Sequence, residues 1–467
     1  MIETIDKIGE AIGLFNGTIT LYLLIPVLLF AGLYFTIGTK FVQFTYIKEM
    51  FKLLTQGNKD KTGISSFQAF TISLASRVGT GNLAGVALAV AAGGPGAVFW
   101  MWIIALLGSA SAFVESTLAQ VYKVRDKEAG AFKGGPAYYM QYALKSRKLG
   151  IAFAILITTC YGFVFNAVQS DTISEAFNKT FDTHATTVAI VLIILTAAII
   201  FGGVKRIAKA TNAIVPVMAI SYILVVLYIL ITNITFIPQL FSTIFESAFG
   251  INQVASGALG AAITQGIKRG LFSNEAGMGS APNAAAAATV SHPVKQGLIQ
   301  TLGVFTDTLI ICSSTALMIL VSDVHTTSSN DGIKLTQEAM IQMVGPWGGT
   351  FISVCIFLFA FSSIIGNYYY GESNIKFITE KKRYLNTYRV LVLGMVLFGA
   401  LASSKLVWNL ADIFMVAMAL LNLYAIIRLA PKAIIVLKDY KKQKAQNKDP
   451  QFKAKEVGLE DETFCWD

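Results

Sequence analysis

Charge is scarce in this chain. Only 14% of its 467 residues are charged while 54% are hydrophobic, and the mean hydropathy is +0.61; a soluble chain of this size carries roughly 25% charge. No polar stretch is long enough to form a soluble domain, so the composition implies an integral membrane protein. Cysteine is sparse too: Cys160, Cys312, Cys355 and Cys465 have no close spacing and three fall in apolar runs, which argues for core packing rather than a disulfide framework or a zinc site. The three histidines, His184, His292 and His325, are equally scattered and read as loop residues. Without an HExxH, a nucleophile elbow or a P-loop, neither a metal hydrolase nor an ATP-driven pump is expected. The chain is therefore not read as an enzyme, and no organic cofactor is expected. MIETIDKIGE at the N-terminus lacks a basic segment followed by a small-residue cleavage site, so no signal peptide is expected.

What the chain has is apolar runs of spanning length. A membrane helix needs roughly 20 apolar residues, and eleven such runs lie near 19–38, 66–92, 97–121, 150–176, 185–203, 212–232, 255–290, 296–320, 349–372, 387–402 and 409–427. Cations are distributed unevenly about them. Thirty of the 37 Lys and Arg fall on one side, including Lys59 and Lys61, seven from Lys123 to Lys148, and nine from Arg428 to Lys455. Four fall on the other side: Lys7, Lys179, Lys334 and Lys405. The positive-inside bias then puts the C-terminus in the cytoplasm and the N-terminus outside a plasma membrane. Basic residues here orient the protein, and no nucleic-acid partner is expected. KFVQFTYIKEMFKLL places Phe41, Phe44, Ile47, Met50 and Phe51 at helical spacing, as in a helix lying in the interface. The lysine-rich tail after Lys438 predicts a disordered segment close to anionic lipid.

Two spans are interrupted. LASRVGTGNLAGVALAV, from Leu74, and SNEAGMGSAPNAAAAA, from Ser273, each place glycines and polar residues within an apolar run. With the first span set aside, ten remain as five plus five, and each half opens on an interrupted helix. Five spans per half invert the second copy, the arrangement of secondary transporters. The expected units are 1–62 (first span and interfacial helix), 63–235 and 236–437 (the repeats), and 438–467 (the tail).

Unwound backbone inside a bilayer is tolerated only in protein or against a polar cavity. At the first break, amides of Thr80, Gly81 and Asn82 suit a carboxylate at a helix N-terminus, and carbonyls near Ala75 and Val78 suit a cation. Gly277 and Gly279 offer the same from the second break, with side-chain hydrogen bonds from Asn274 and Ser280. An α-amino acid needs both signs of partial charge. Gly79-Thr-Gly81-Asn-Leu-Ala84 also matches a dinucleotide fingerprint, but its flanks are spans rather than strands. The Gly81–Gly85 spacing is equally a helix-packing motif.

Charges inside spans are costly and are functional suspects: Arg77, Glu115, Lys268, Arg269, Glu275 and Asp307. Two readings stand for them, buried pairing within the bundle and a transport role. Arg77 or Arg269 paired with Glu275 would tether a broken helix as part of a gate, and Asp307 would take a proton or a cation. Ser362 and Ser363 either bond back to their own helix or complete a cation's oxygen shell. Asn166, Gln169 and Ser170, within one turn, either line a cavity or pack.

GTGNLAGVALAVAAGGPGAVFWMW, GLFSNEAGMGSAPNAAAAA and SSIIGNYYYGE together resemble the alanine or glycine:cation symporter family, of the five-plus-five LeuT-type fold, over about residues 20–430. The resemblance implies an all-α integral membrane protein with one helix ahead of a ten-helix core. It implies inward symport of a small neutral amino acid with Na+ or H+, with no obligatory protein partner; a larger substrate such as glutamine, and a channel, are the alternatives. It places the substrate against Gly79, Thr80, Gly81, Asn82 and Gln169, with Gly277, Met278 and Gly279 flanking its side chain. Na+ falls to the carbonyls near Ala75 and Val78 and the hydroxyls of Ser362 and Ser363. Arg77 and Glu275 beside the breaks depart from the wider fold's pattern, so one coupling cation is expected.

Overall fold

The computed structural model describes residues 16–55, 63–126, 130–250 and 256–466; the N-terminal segment with Lys7, and Lys59, Lys61 and Lys127, lie outside the described residues. Every one of the eleven apolar runs is helical. Among the described residues, eight helices are long and apolar enough to cross a membrane alone: Asn16–Gly38, Gly96–Val121, Arg147–Phe181, Gly203–Thr232, Pro293–Ser322, Trp347–Ile378, Lys382–Leu401 and Ser404–Ala445. The pair Ser66–Arg77 and Gly81–Gly93, bent by 49°, qualifies as one broken span. Ala185–Ile200 is a shorter apolar helix, and Ser256–Asn274 with Ala281–Ala287 is the second interrupted one.

Local chemistry sets the ends. Ser65 and Gln68 exchange side-chain and backbone bonds in a capping box at the start of the first broken span, the arrangement that satisfies two orphan amides at once. Gly94-Pro95 and Gly345-Pro346 turn the chain into the next helix, with the glycine at φ 69° and 90° and the proline at the N-cap. Gly96–Val121 lies at the centre, packed against Ser256–Asn274 and Pro293–Val304. Large apolar side chains outside the core, among them Val217, Ile220, Leu224 and Ile231, lie on a helix face suited to lipid.

Two expectations change here. The interfacial stretch is two short helices, Val42–Thr45 and Ile47–Thr55, rather than one. Phe41, Phe44, Ile47 and Phe51 stay exposed while Met50 and Leu53 turn into the core. The basic tail, expected to be disordered, is instead ordered and packed. The last helix runs on to Ala445, after which Phe452, Ala454, Leu459 and Trp466 are buried. Composition misleads because four apolar residues spread over fifteen positions show no helical or strand period, yet each finds a ready cleft.

Candidate functional site

The first helix interruption is short. After Arg77 the backbone leaves the helix at Val78 (φ −78°, ψ 88°) and winds again from Thr80 through a wide turn at Gly81–Gly85. Gly79 has no room for a side chain, since an added Cβ would stand 2.2 Å from Ser363 Oγ and 2.8 Å from Gln169 Oε1. Asn82 Oδ1 accepts from the Gly79 amide at 2.9 Å. Gln169 Oε1 accepts from both the amide and the hydroxyl of Thr80, at 3.0 and 2.7 Å. Ser363 Oγ stands 2.8 Å from the Ala75 carbonyl, 3.4 Å from that of Val78 and 3.1 Å from that of Phe359. One hydroxyl proton cannot serve three carbonyls, so this knot of oxygens has acceptor capacity left over, which suits a hard cation. Ser362 touches this knot only at its edge: its hydroxyl donates to the same Phe359 carbonyl at 2.8 Å and lies by Met218 Sδ, with no bond to Ala75 or Val78.

The second interruption is longer and built differently. Between Asn274 and Ala281 the chain passes through Glu275 at φ 57° and Gly277 and Gly279 at φ 82° and 83°, a left-handed region that glycine enters freely and other residues enter at a cost. Glu115, fully buried, fills the concavity these residues make. Its carboxylate accepts from the amides of Gly277 and Gly279 at 3.2 and 3.0 Å and from Asn422 Nδ2 at 2.8 Å. Tyr139 in turn donates its hydroxyl to Asn422 Oδ1. The glycine amides read as substrate contacts are thus already bound by a side chain. Met278 is buried with its sulfur 3.9 Å from the Tyr161 hydroxyl. Asn274 Oδ1 accepts from the Ala276 amide at 3.0 Å, so it braces its own turn.

The two interruptions touch. An added Cβ on Gly81 would lie 3.0 Å from Ser273 Cα, and Ser76 Oγ donates to Glu275 Oε1 at 2.7 Å, with Ser280 Oγ 2.6 Å from Oε2. Asp307 joins both, accepting from Asn82 Nδ2 at 2.7 Å, Ser273 Oγ at 2.9 Å and Thr308 Oγ1 at 2.8 Å. All these groups are buried.

The expected charge pairs differ. Arg269 and Lys268 both pair with Asp412, at 3.2 and 2.8 Å, and Arg269 lies over the Trp408 ring, which itself packs on Phe272. Arg77 forms no ion pair among the described residues. Its Nη1 donates to the Gln300 carbonyl at 3.3 Å, and Nε and Nη2 have no hydrogen-bond partner among the described residues. Of the polar trio on one turn, Gln169 alone reaches the break. Asn166 donates to Gly162 O in its own helix and Ser170 to Val396 O, which is packing.

Asp412, Asn422 and Ser273 were passed over in the sequence, although a lone Asp in WNLADIFMV and a lone Asn in ALLNLYA carry the same signal that singled out Asp307. His292 is a loop residue as expected, the N-cap of Pro293–Val304, but it is buried, with Nε2 3.1 Å from Asp439. Cys312 lies 3.3 Å from Asn82 Nδ2 and 3.2 Å from Ser273 Oγ, while Cys160 and Cys355 are free and buried.

Comparison with known proteins agrees with this architecture. Amino-acid carrier protein AlsT of Bacillus subtilis is 57% identical over 92% of each chain. The probable sodium/glutamine symporter GlnT of the same organism is 52% identical over 97% of this chain and 95% of its own. Sodium/alanine symporter AgcS of Methanococcus maripaludis is 38% identical over 91% and 96%. Among solved structures, MhsT in complex with L-phenylalanine superposes with a TM-score of 0.53 at 14% identity, covering 81% of this chain and 99% of that one, a likeness of fold, which is LeuT-type. The description "Sodium:alanine symporter family" fits residues 5–454, so this multi-pass membrane chain, with its two touching helix interruptions, belongs to the sodium:alanine symporter family.

Proposed function

We propose that this symporter carries a small neutral amino acid such as alanine or glycine into the cell with Na+, by alternating access, from a site at the first interruption. The observation that carries this reading is the adjacency of two unlike groups. An oxygen knot formed by Ser363 Oγ and the carbonyls of Ala75, Val78 and Phe359 lies beside the Thr80 amide and hydroxyl. Cation and carboxylate are thereby taken up side by side. Gln169 Oε1 holds the Thr80 donors in the meantime as a neutral acceptor, which a charged carboxylate displaces because charge-assisted bonds are the stronger.

Gly79, Gly81, Asn82 and Met278 complete the substrate's surroundings in this reading. Gly277 and Gly279 contribute shape, because their amides are taken by Glu115. The units 63–235 and 236–437 act as the two inverted repeats, and the basic loops and C-terminus face the cytoplasm. Na+ is the coupling ion on which the reading rests, with H+ as its alternative.

Uptake of labelled alanine into proteoliposomes, with an imposed sodium gradient and a panel of L- and D-amino acid competitors, tests the proposal. Saturable uptake that collapses without sodium is expected. Glutamine outcompeting alanine selects the larger substrate, for which the 52% identity to a probable sodium/glutamine symporter is the supporting observation. Uptake driven by a pH gradient alone replaces Na+ with H+.

A further inference from the structure

The ordered tail does more than pack against the bundle. Thr289, just past the second broken span, donates its amide to the Ile64 carbonyl at 3.0 Å, just ahead of the first. The far ends of both broken spans are thus joined by backbone, and the tail lies against Ser291, His292 and Lys295 beside this junction. Phe452 N–H donates to Ser291 O at 2.8 Å, Ser291 Oγ to Pro450 O at 2.8 Å, and Lys295 pairs with Asp449 at 2.5 Å. Trp466 closes the strap, with its indole N–H on the Gln120 carbonyl at 2.8 Å and its ring edge-on to Phe452.

Lys123 lies at the centre. Its ammonium stands 4.1 Å from the Phe132 ring centroid and 4.4 Å from that of Trp466, within the range of cation–π attraction, and 3.2 Å from the Ala288 carbonyl. Gln120 Nε2 donates to the same carbonyl at 2.9 Å. Ala288 caps the last helix of the second broken span, and its buried carbonyl is gripped from two directions. A second tie fastens the tail itself: Glu462 accepts from Tyr122 at 2.8 Å and pairs with Lys432. Burial raises this carboxyl, but the bonds from Lys432 and Tyr122 outweigh it and hold it below the usual range, so it stays ionised.

We infer that Lys123, Phe452 and Trp466 are positioning residues of the transport cycle: with the tail laid against Ser291 and His292 and the Thr289 amide on Ile64, they clamp the ends of both broken spans and keep that side of the pathway closed. Opening toward the C-terminal face requires these ends to part, so the clamp must let go once per cycle. Release of such an element sets the turnover rate in many proteins that work by gating. The inference rests on the transport reading above.

The test compares the full-length protein with Trp466→Ala and Trp466→Phe in two measurements. Trp466→Ala is expected to lower hydrogen-exchange protection across residues 281–292 and to raise the maximal uptake rate of labelled alanine roughly threefold, with its half-saturation concentration unmoved. Trp466→Phe keeps the ring that Lys123 and Phe452 touch and is expected to restore most of both. Unchanged protection in Trp466→Ala overturns the clamp, and lost protection with an unchanged maximal rate reduces the tail to packing, which overturns it equally. If Trp466→Ala fails to fold, Phe452→Ala gives the same two readouts. Absence of alanine uptake by the unmodified protein counts against the transport reading instead, and the exchange measurement still decides whether the tail holds this end shut.

Discussion

The two helix interruptions look like copies in the sequence and behave as opposites in the structure. The first is two residues deep, stays out of the left-handed region and meets neutral side chains: Gln169, Asn82 and Ser363. The second runs through six residues, takes three of them into the left-handed region, and has its amides satisfied by the buried carboxylate of Glu115. Neutral partners can be exchanged for ligands at little cost, whereas a buried carboxylate bound by three donors resists replacement. In the reading proposed above, the first interruption is accordingly the one that takes ligands, and the second is braced.

Removing the brace gives the largest expected effect. Glu115→Ala leaves the Gly277 and Gly279 amides without their acceptor, at about 1–3 kcal/mol for each buried donor, while Asn422 Nδ2 keeps only the Gly277 carbonyl. A marked fall in thermal unfolding temperature in detergent should follow, and a fall no larger than that of Gln169→Ala would erase the contrast between the two interruptions. Next comes Gly279→Ala, which combines φ +83° with a Cβ 2.7 Å from Pro136 Cγ and 2.8 Å from Asn422 Cγ. Left-handed strain alone costs roughly 1–2 kcal/mol, so protein yield and uptake should both drop.

At the first interruption the fold should survive and ligand affinity should move. Ser363→Ala removes the hydroxyl facing Ala75 O and Val78 O and is expected to raise the sodium concentration for half-maximal uptake severalfold; Ser362→Ala, whose hydroxyl bonds its own helix, should not. An identical sodium curve for both would take Ser363 out of the cation shell. The smallest effect is expected for Thr80→Val, which loses one hydrogen bond to Gln169, worth about 0.5–1.5 kcal/mol. Substrate half-saturation should rise a few-fold with unfolding temperature unchanged.

Much of this was legible in the residues. Every apolar run became a helix because a backbone in hydrocarbon has almost no other way to satisfy itself, and the glycine-rich interruptions betrayed their positions for the same reason. Gln169 and Ser363 were identifiable as polar groups in apolar runs, but their neighbours Asn166, Ser170 and Ser362 carry the same signal and turn away. That choice depends on which side of a helix meets the break, a matter of rotation that spacing within one turn does not resolve.

Partners were the illegible part. Arg269 pairs with Asp412, 143 residues away in the chain, rather than with the Glu275 six residues on, because Glu275 leaves the helix at φ 57° and turns to Ser76 and Ser280. The sequence by itself determined a bilayer-embedded helical bundle with two broken spans, since hydrophobic length and glycine placement are local properties of the chain. Only the tertiary structure decided that Glu115 seals the second interruption while the neutral Gln169 meets the first, and that the lysine-rich tail folds back against Ser291 and Lys295 at the far end of the second broken span, because each depends on contacts between residues 89 to 346 positions apart.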